Sequence, residues 1–365
     1  MPDGMSAFPG DGHAWWIYRG TDGAERTAPL TELLPPPPPW RDFDGGPVVT
    51  EPAPRDDAEI RRRLGAPEVR VRPTSPDEAD MVNAALFLRR PLIVTGRPGI
   101  GKSSLAHQVS RELGLGRVLR WTVTSRSTLK EGLYAYDAIG RVQEAAAQGA
   151  LHGSETPAGR LSGDGAPEPL GGLGDFVQLG PLGTALIPRE TPRVLLIDEF
   201  DKADTDLAND LLGIFEDGEF VIPELSRVRS RMPDVTVHTD DPDGTHVVHH
   251  GRIRCRAFPF VVITSNGERS LPPAFLRRCL SLEMPPPDEE RLAAMLAAQF
   301  TDGAGPERSA MIRDFVTRAL AGGTLAADQL LNAEYLRLSA AGPDESSLDR
   351  LLHSLWRRLD EVGTA

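Results

Sequence analysis

Three glycines, a lysine and two hydroxyls crowd the stretch GRPGIGKSS, Gly96 to Ser104, and these residue types at this spacing can hold a chain of phosphates. Gly96, Gly99 and Gly101, with Pro98 among them, permit a tight loop whose backbone N–H groups turn inward on an anion that a Cβ would obstruct. In such a loop Lys102 meets the β and γ phosphates, the Ser103 hydroxyl binds Mg²⁺, and Ser104 extends the contact surface.

Binding alone is not turnover. Hydrolysis needs a carboxylate on the metal side, a group that activates water and a stabiliser of transition-state charge. The stretch VLLIDEFDK supplies two acids, Asp198 to orient hydrated Mg²⁺ and Glu199 to polarise the attacking water. FVVITSN ends in Asn266, a neutral amide suited to hold the γ-phosphate or the water without adding repulsive charge. LPPAFLRRCLSL carries Arg277 and Arg278, and a planar guanidinium there can cross a subunit boundary to a neighbour's γ-phosphate.

These groups act together only if strands and helices bring them to one place. Leu92 to Thr95 is short, apolar and partly β-branched, which predicts a buried parallel strand running into the glycine loop. Leu105, Val109 and Leu113 recur four apart, which predicts a helix from Lys102 that Gly114 ends. Further strands are expected at Val118 to Thr124, Arg193 to Asp198, Phe260 to Asn266 and Cys279 to Met284, in an alternating α/β order that implies a parallel sheet. Asp198 then falls at the carboxyl end of a central strand beside the phosphate loop, with Asn266 between the two.

Around this unit the chain changes character. The first 75 residues hold HAWWIYRG and the run LLPPPPPWR, whose prolines favour a stiff, extended segment. That segment reads as a linker or, through Trp15, Trp16, Tyr18 and Trp40, as a docking arm. Residues 76–287 are the α/β unit. Within it, GSETPAGRLSGDGAPEPLGGLGD reads as a mobile loop, and the alternation around Asp243-Gly244 reads as a hairpin. Residues 288–365 read as all helical, with apolar faces at Leu292, Met295, Leu296 and Phe300, and at Leu348, Leu351, Leu352, Leu355, Trp356 and Leu359. His238, His246, His249 and His250 on the hairpin offer no strong metal-ligand spacing.

Composition narrows the class. A net charge of −13 argues against a surface built to neutralise nucleic-acid backbones. Two cysteines cannot make a disulfide framework and fit a reducing cytosol. No apolar run reaches the length of a membrane span, and the N-terminus lacks an export signal, so a soluble cytoplasmic protein is expected.

The order of motifs, from phosphate loop through Asp-Glu strand, Asn-ended strand and Arg-ended helix to helical lid, resembles the AAA+ ATPases. Within them the chain is similar to the MoxR-like family, through FVQLGPLGTALI, DEFDKADTDLANDLLGIFEDGEF and AADQLLNAEYLRL. The resemblance implies a three-layer P-loop AAA+ core with a parallel sheet followed by an all-α lid. It also implies an insertion within the second helix at about Asp137 to Leu186, and a hairpin before the sensor strand. It implies ATP and Mg²⁺ bound between subunits of a homo-oligomeric ring, commonly hexameric, that remodels a partner protein. A partner with a von Willebrand A domain and a bacterial conflict system are implied in the same way. Carried over by position, Lys102 and Ser103 contact phosphate and metal, Asp198 and Glu199 are the paired acids, Asn266 is the first sensor, and Arg278 or Arg277 is the finger. Relatives place a second-sensor arginine near the start of a late lid helix. GGTLAADQLLN has none, and Arg337 lies further along. A slow nucleotide-dependent switch and a DNA-acting motor are the competing readings.

Overall fold

Alternation along each central strand decides what packs on either side of it. In the computed structural model the described residues are 14–20, 28–66, 74–152, 172–300, 302, 304–320, 325–339, 347, 350–352, 354 and 356. The strands are β1 (Leu92–Thr95), β2 (Leu119–Thr122), β3 (Tyr134–Tyr136), β4 (Val177–Leu179), β5 (Val194–Asp198), β6 (Glu219–Val221), β7 (Asp234–His238), β8 (Thr245–His249), β9 (Arg252–Arg254), β10 (Phe260–Ser265) and β11 (Leu280–Glu283). Five of them form one sheet in the order β11-β1-β10-β5-β2. Every pair in it is parallel.

Before and along the sheet run α1 (Leu30–Leu33), α2 (Asp57–Leu64), α3 (Pro76–Leu88), α4 (Lys102–Leu113), α5 (Leu129–Leu133), α6 (Ala138–His152) and α7 (Pro181–Ala185). Beyond them come α8 (Thr205–Asp217), α9 (Pro223–Ser226), α10 (Pro273–Leu276), α11 (Glu289–Gln299), α12 (Pro306–Leu320) and α13 (Ala327–Leu338). Leu92 and Val94 of β1 point to one face, where Val82 and Leu86 of α3 and Leu105 and Val109 of α4 cover them. Ile93 between them points to the other, with Leu195 and Ile197 of β5, against Leu211 and Phe215 of α8. Two-residue periodicity thus builds a three-layer sandwich with a core on each side. Ser75 accepts from the Glu78 N–H to start α3. Gly114 at φ 62° ends α4, as the sequence predicts.

The Asp243-Gly244 hairpin forms, with β7 and β8 paired from Asp234–His249 to His238–Thr245. It belongs to a second, six-stranded sheet, β3-β4-β7-β8-β9-β6, that the sequence reading does not anticipate. Its short strands come from distant segments, so no local alternation announces it. Residues 153–171 of the loop expected to be mobile lie outside the described residues, and Leu173–Phe176 at its end form a 3₁₀ turn. The hairpin turn is latched to the core. Arg193, whose side chain is 1% exposed, meets Asp241 through two parallel hydrogen bonds of 2.7 and 2.8 Å. Arg117 holds the neighbouring Asp240 at 2.8 Å.

The described parts of the N-terminal segment rest on the α/β core. Tyr18 is fully buried, and Asn83 of α3 clasps it, accepting from the Ile17 and Tyr18 N–H groups and donating to the Tyr18 carbonyl. The Trp16 indole donates to Asp80, and Trp15 meets Phe87 edge-on. Phe43 enters the opposite core. Trp40 stays 74% exposed. Further on, the Arg117 N–H donates to the Pro54 carbonyl on the core side, and the Ala66 N–H donates to the Ala298 carbonyl on the lid side. Between those ties α2 spans from α4 to α11.

In the helical lid Leu292, Leu296, Phe315, Leu330 and Trp356 share a core with Leu352 at its margin. Leu348, Leu355 and Leu359 of the second expected face lie outside the described residues, while Leu351 is 40% exposed. Among the described residues no helix is long and apolar enough to cross a membrane.

His107, buried on α4 beside α2, carries a pH dependence. Burial holds its pKa down to about 4, with the Arg63 charge adding to the effect. The unfolded imidazole takes up its proton near 6.5, so between those values the unfolded chain binds more protons and stability falls as pH falls. Thermal melts between pH 7 and 5 are expected to show this loss, and His107→Gln to flatten it. Equal slopes for both proteins would place the acid sensitivity elsewhere.

Candidate functional site

Parallel strands deliver their carboxyl ends to one edge of the sheet, and the candidate residues collect there. β1 leads into the glycine loop and β5 ends in Asp198, while β10 lies between them and leads into Asn266. The glycines have steric reasons. A Cβ on Gly96, at φ 146°, would lie 2.8 Å from the Met284 carbonyl oxygen, and one on Gly99, at φ 73°, would lie 2.3 Å from the Ala326 Cβ. The second contact shows the lid resting on the loop, where the Ala327 N–H also donates to the Gly99 carbonyl.

A cavity of about 460 Å³ opens at this edge, and Pro98, Gly99, Gly101, Lys102, Ser103, Ser104, Asp198, Glu199 and Asn266 all line it. The Lys102 ammonium donates to the Gly96 and Arg97 carbonyls and to Asn266 Oδ1, the last at 2.7 Å. Burial lowers its pKa, and the carboxylates of Asp201, Asp198 and Glu199 oppose that only in part. Asp198 Oδ1 accepts from the Ser103 and Thr264 hydroxyls, each at 2.7 Å, and Oδ2 from Arg120 at 2.6 Å. Burial alone would push its pKa up, but these hydrogen bonds and the Arg120 charge outweigh it and hold the carboxyl below its usual range. A hydroxyl and a carboxylate this close form the hard oxygen set that Mg²⁺ takes, which fits Ser103 and Asp198 as its protein contacts.

Glu199 sits at φ 60°, ψ 43°, a left-handed conformation that a non-glycine residue adopts at a cost. Its N–H donates to the Thr264 hydroxyl, and its carboxylate accepts from Lys202 at 2.8 Å. Asp201, 1% exposed, receives the N–H groups of Asn266 and Glu268 on one oxygen and so fixes the turn that presents the amide.

Of the expected residues all but Gly96, Arg277 and Arg278 line the cavity, and Gly96 lies in the loop beside it. Arg278 pairs with Glu216 of α8 and donates to the Ala274 carbonyl, and Arg277 is exposed at the end of α10. In the lid, Asp328 and Leu331 of α13 and Arg291 of α11 line the cavity. Arg291 lies 3.4 Å from Glu78. Arg337 is engaged instead with Glu334 and Glu307, both at 2.8 Å. The sequence reading also misses Arg120, Thr264 and Asp201. Thr264 is spelled like any β-former, and the second acid of DEFDK is the one local sign of Asp201.

This arrangement of sheet, loop and acids defines a P-loop nucleotide-binding domain with a helical lid. The chain belongs to the AAA domain family, dynein-related subfamily, whose match runs over residues 91–279, just over half the chain. A solved structure, that of C. elegans PCH-2, is similar at 13% identity over 78% of this chain and 67% of that one, with a TM-score of 0.36. No curated protein matches. Among the described residues no cluster of His, Cys, Asp or Glu could hold a metal on its own, and His249 of the hairpin pairs with Asp234.

Proposed function

We propose that the chain hydrolyses ATP as a MoxR-like member of the AAA+ ATPases and works as a ring that remodels a partner protein. The observation that carries this is the meeting of Lys102, Ser103, Asp198, Glu199 and Asn266 in one cavity. In this reading Lys102 leaves its loop carbonyls for the β and γ phosphates, Ser103 and Asp198 hold hydrated Mg²⁺, Glu199 activates water and Asn266 positions it. Glu199 must part from Lys202 to do so. At the end of α10 Arg277 is exposed, while Arg278 is half-buried and must part from Glu216 to reach a neighbouring subunit's γ-phosphate. The net charge of −13 favours a protein partner over nucleic acid. A von Willebrand A domain partner and a conflict-system role rest on the family resemblance alone.

A slow switch is the second reading, favoured by Asp328 lining the cavity from the lid helix where relatives carry a sensor arginine. Mass in solution separates the two. Assembly into a ring with ATP is expected, with Arg278→Ala subunits lowering the turnover of rings they join by at least about tenfold, since a finger serves its neighbour. A monomer under every condition, or a ring indifferent to Arg278, would sink the ring mechanism.

A further inference from the structure

The cavity extends past the phosphate loop to an end that the phosphate chemistry leaves without a role. Ser104 and Gln108 lie one turn apart on the same face of α4 and both line it. Gln108 stands six residues beyond Lys102 on α4, or about 9 Å along the axis at 1.5 Å per residue, a distance of the order that separates a nucleotide's phosphates from its base. It is 6% exposed, and its Oε1 is buried with no hydrogen-bond partner. Native proteins rarely leave such an acceptor empty. In the same cavity Leu64 of α2, Leu292 and Met295 of α11 and Leu331 of α13 supply apolar lining, and Arg62, Arg63 and Gln299 polar lining.

An acceptor amide in a cavity that also offers apolar wall for a ring suits the edge of an aminopurine. Glutamine can meet adenine bidentately, accepting from the exocyclic N6 amine and donating to N7. We infer that Gln108 reads the adenine edge and makes the site selective for a 6-aminopurine nucleotide, with α2 of the N-terminal segment as the wall that shields this contact from water. The inference rests on the reading of the cavity as a nucleoside triphosphate site.

Binding of ATP and of purine riboside 5′-triphosphate, which lacks only the exocyclic amine, to the full chain tests it. The wild type is expected to prefer ATP by about tenfold, the worth of one buried hydrogen bond together with the acceptor otherwise left empty. Gln108→Leu should weaken ATP about tenfold and bring the two ligands within about twofold of each other. Gln108→Glu keeps the acceptor and should keep the preference. Equal binding of the two ligands by the wild type overturns the inference without any variant, and so does a preference that survives in Gln108→Leu. Lys102→Ala should weaken both ligands together. If it does not, or if the wild type binds neither, the nucleotide reading fails rather than the assignment of Gln108.

Discussion

Glu199→Gln is expected to lower ATP turnover by about 10² to 10⁴-fold, the range of a lost general base, while nucleotide binding is kept. The amide fills the same space but cannot accept a proton from water. Lys102, Ser103 and Asp198 hold each other through the loop carbonyls, Asn266 and Thr264 without using the Glu199 side chain, so their geometry survives the change. The Glu199 N–H contact to Thr264 is a backbone contact and survives as well. What is lost is the carboxylate and its pairing with Lys202. Phosphate release and nucleotide affinity, measured on the same preparation, check both halves. Turnover near wild type would remove Glu199 from the chemistry, and lost affinity would mean that the turn at φ 60° needs the carboxylate to form.

The second large effect concerns stability. Asp241→Ala is expected to destabilise the protein by about 3–5 kcal/mol, because it leaves the Arg193 charge buried without its partner. The Arg193 guanidinium is 1% exposed and also donates to the Arg117 carbonyl, so it cannot swing into water. Burial pushes the Asp241 carboxyl up, but the Arg193 hydrogen bonds and charge, with Arg117 and Arg189, bring it below the usual range. Its contribution is therefore complete above the ordinary carboxylate range and is lost as pH falls through the lower folded value. Thermal melts of Asp241→Ala and of Arg193→Met with Asp241→Leu make the test. The double variant removes both charges and should recover most of the loss. Equal loss in both would show that shape, not charge, holds the turn.

How much of this is legible in the sequence depends on how local the cause is. The phosphate loop and the strand ending in Asp198 and Glu199 are spelled in consecutive residues, because steric room for phosphate and a buried strand impose their demands on neighbours in the chain. Asn266 is legible only through the order of motifs. Its place beside Lys102 comes from β10 lying between β1 and β5, a matter of sheet order. Arg120 sits on an exposed position of β2 and gains its role solely because Asp198 ends the adjacent strand. The seat of the N-terminal segment is the least legible. Its aromatic anchors stand out as anchors, but Asp80, Asn83 and Phe87 look like ordinary positions of a helix.

That segment also orders events in time. Its hydrogen bonds reach partners 64 residues away at Asp80 and 93 at Glu112, and Arg41 donates to the Phe215 carbonyl 174 residues further on. Contacts of such long range form late, since each closes a large loop before it contributes. During synthesis this segment therefore has no surface to rest on until α3, α4 and α8 have emerged behind it. The proline run lightens that wait. Pro38 at φ −55°, ψ 144° keeps in the folded state the extended form the free peptide already prefers. Little backbone freedom is then given up there when the segment settles, after the elements it rests on.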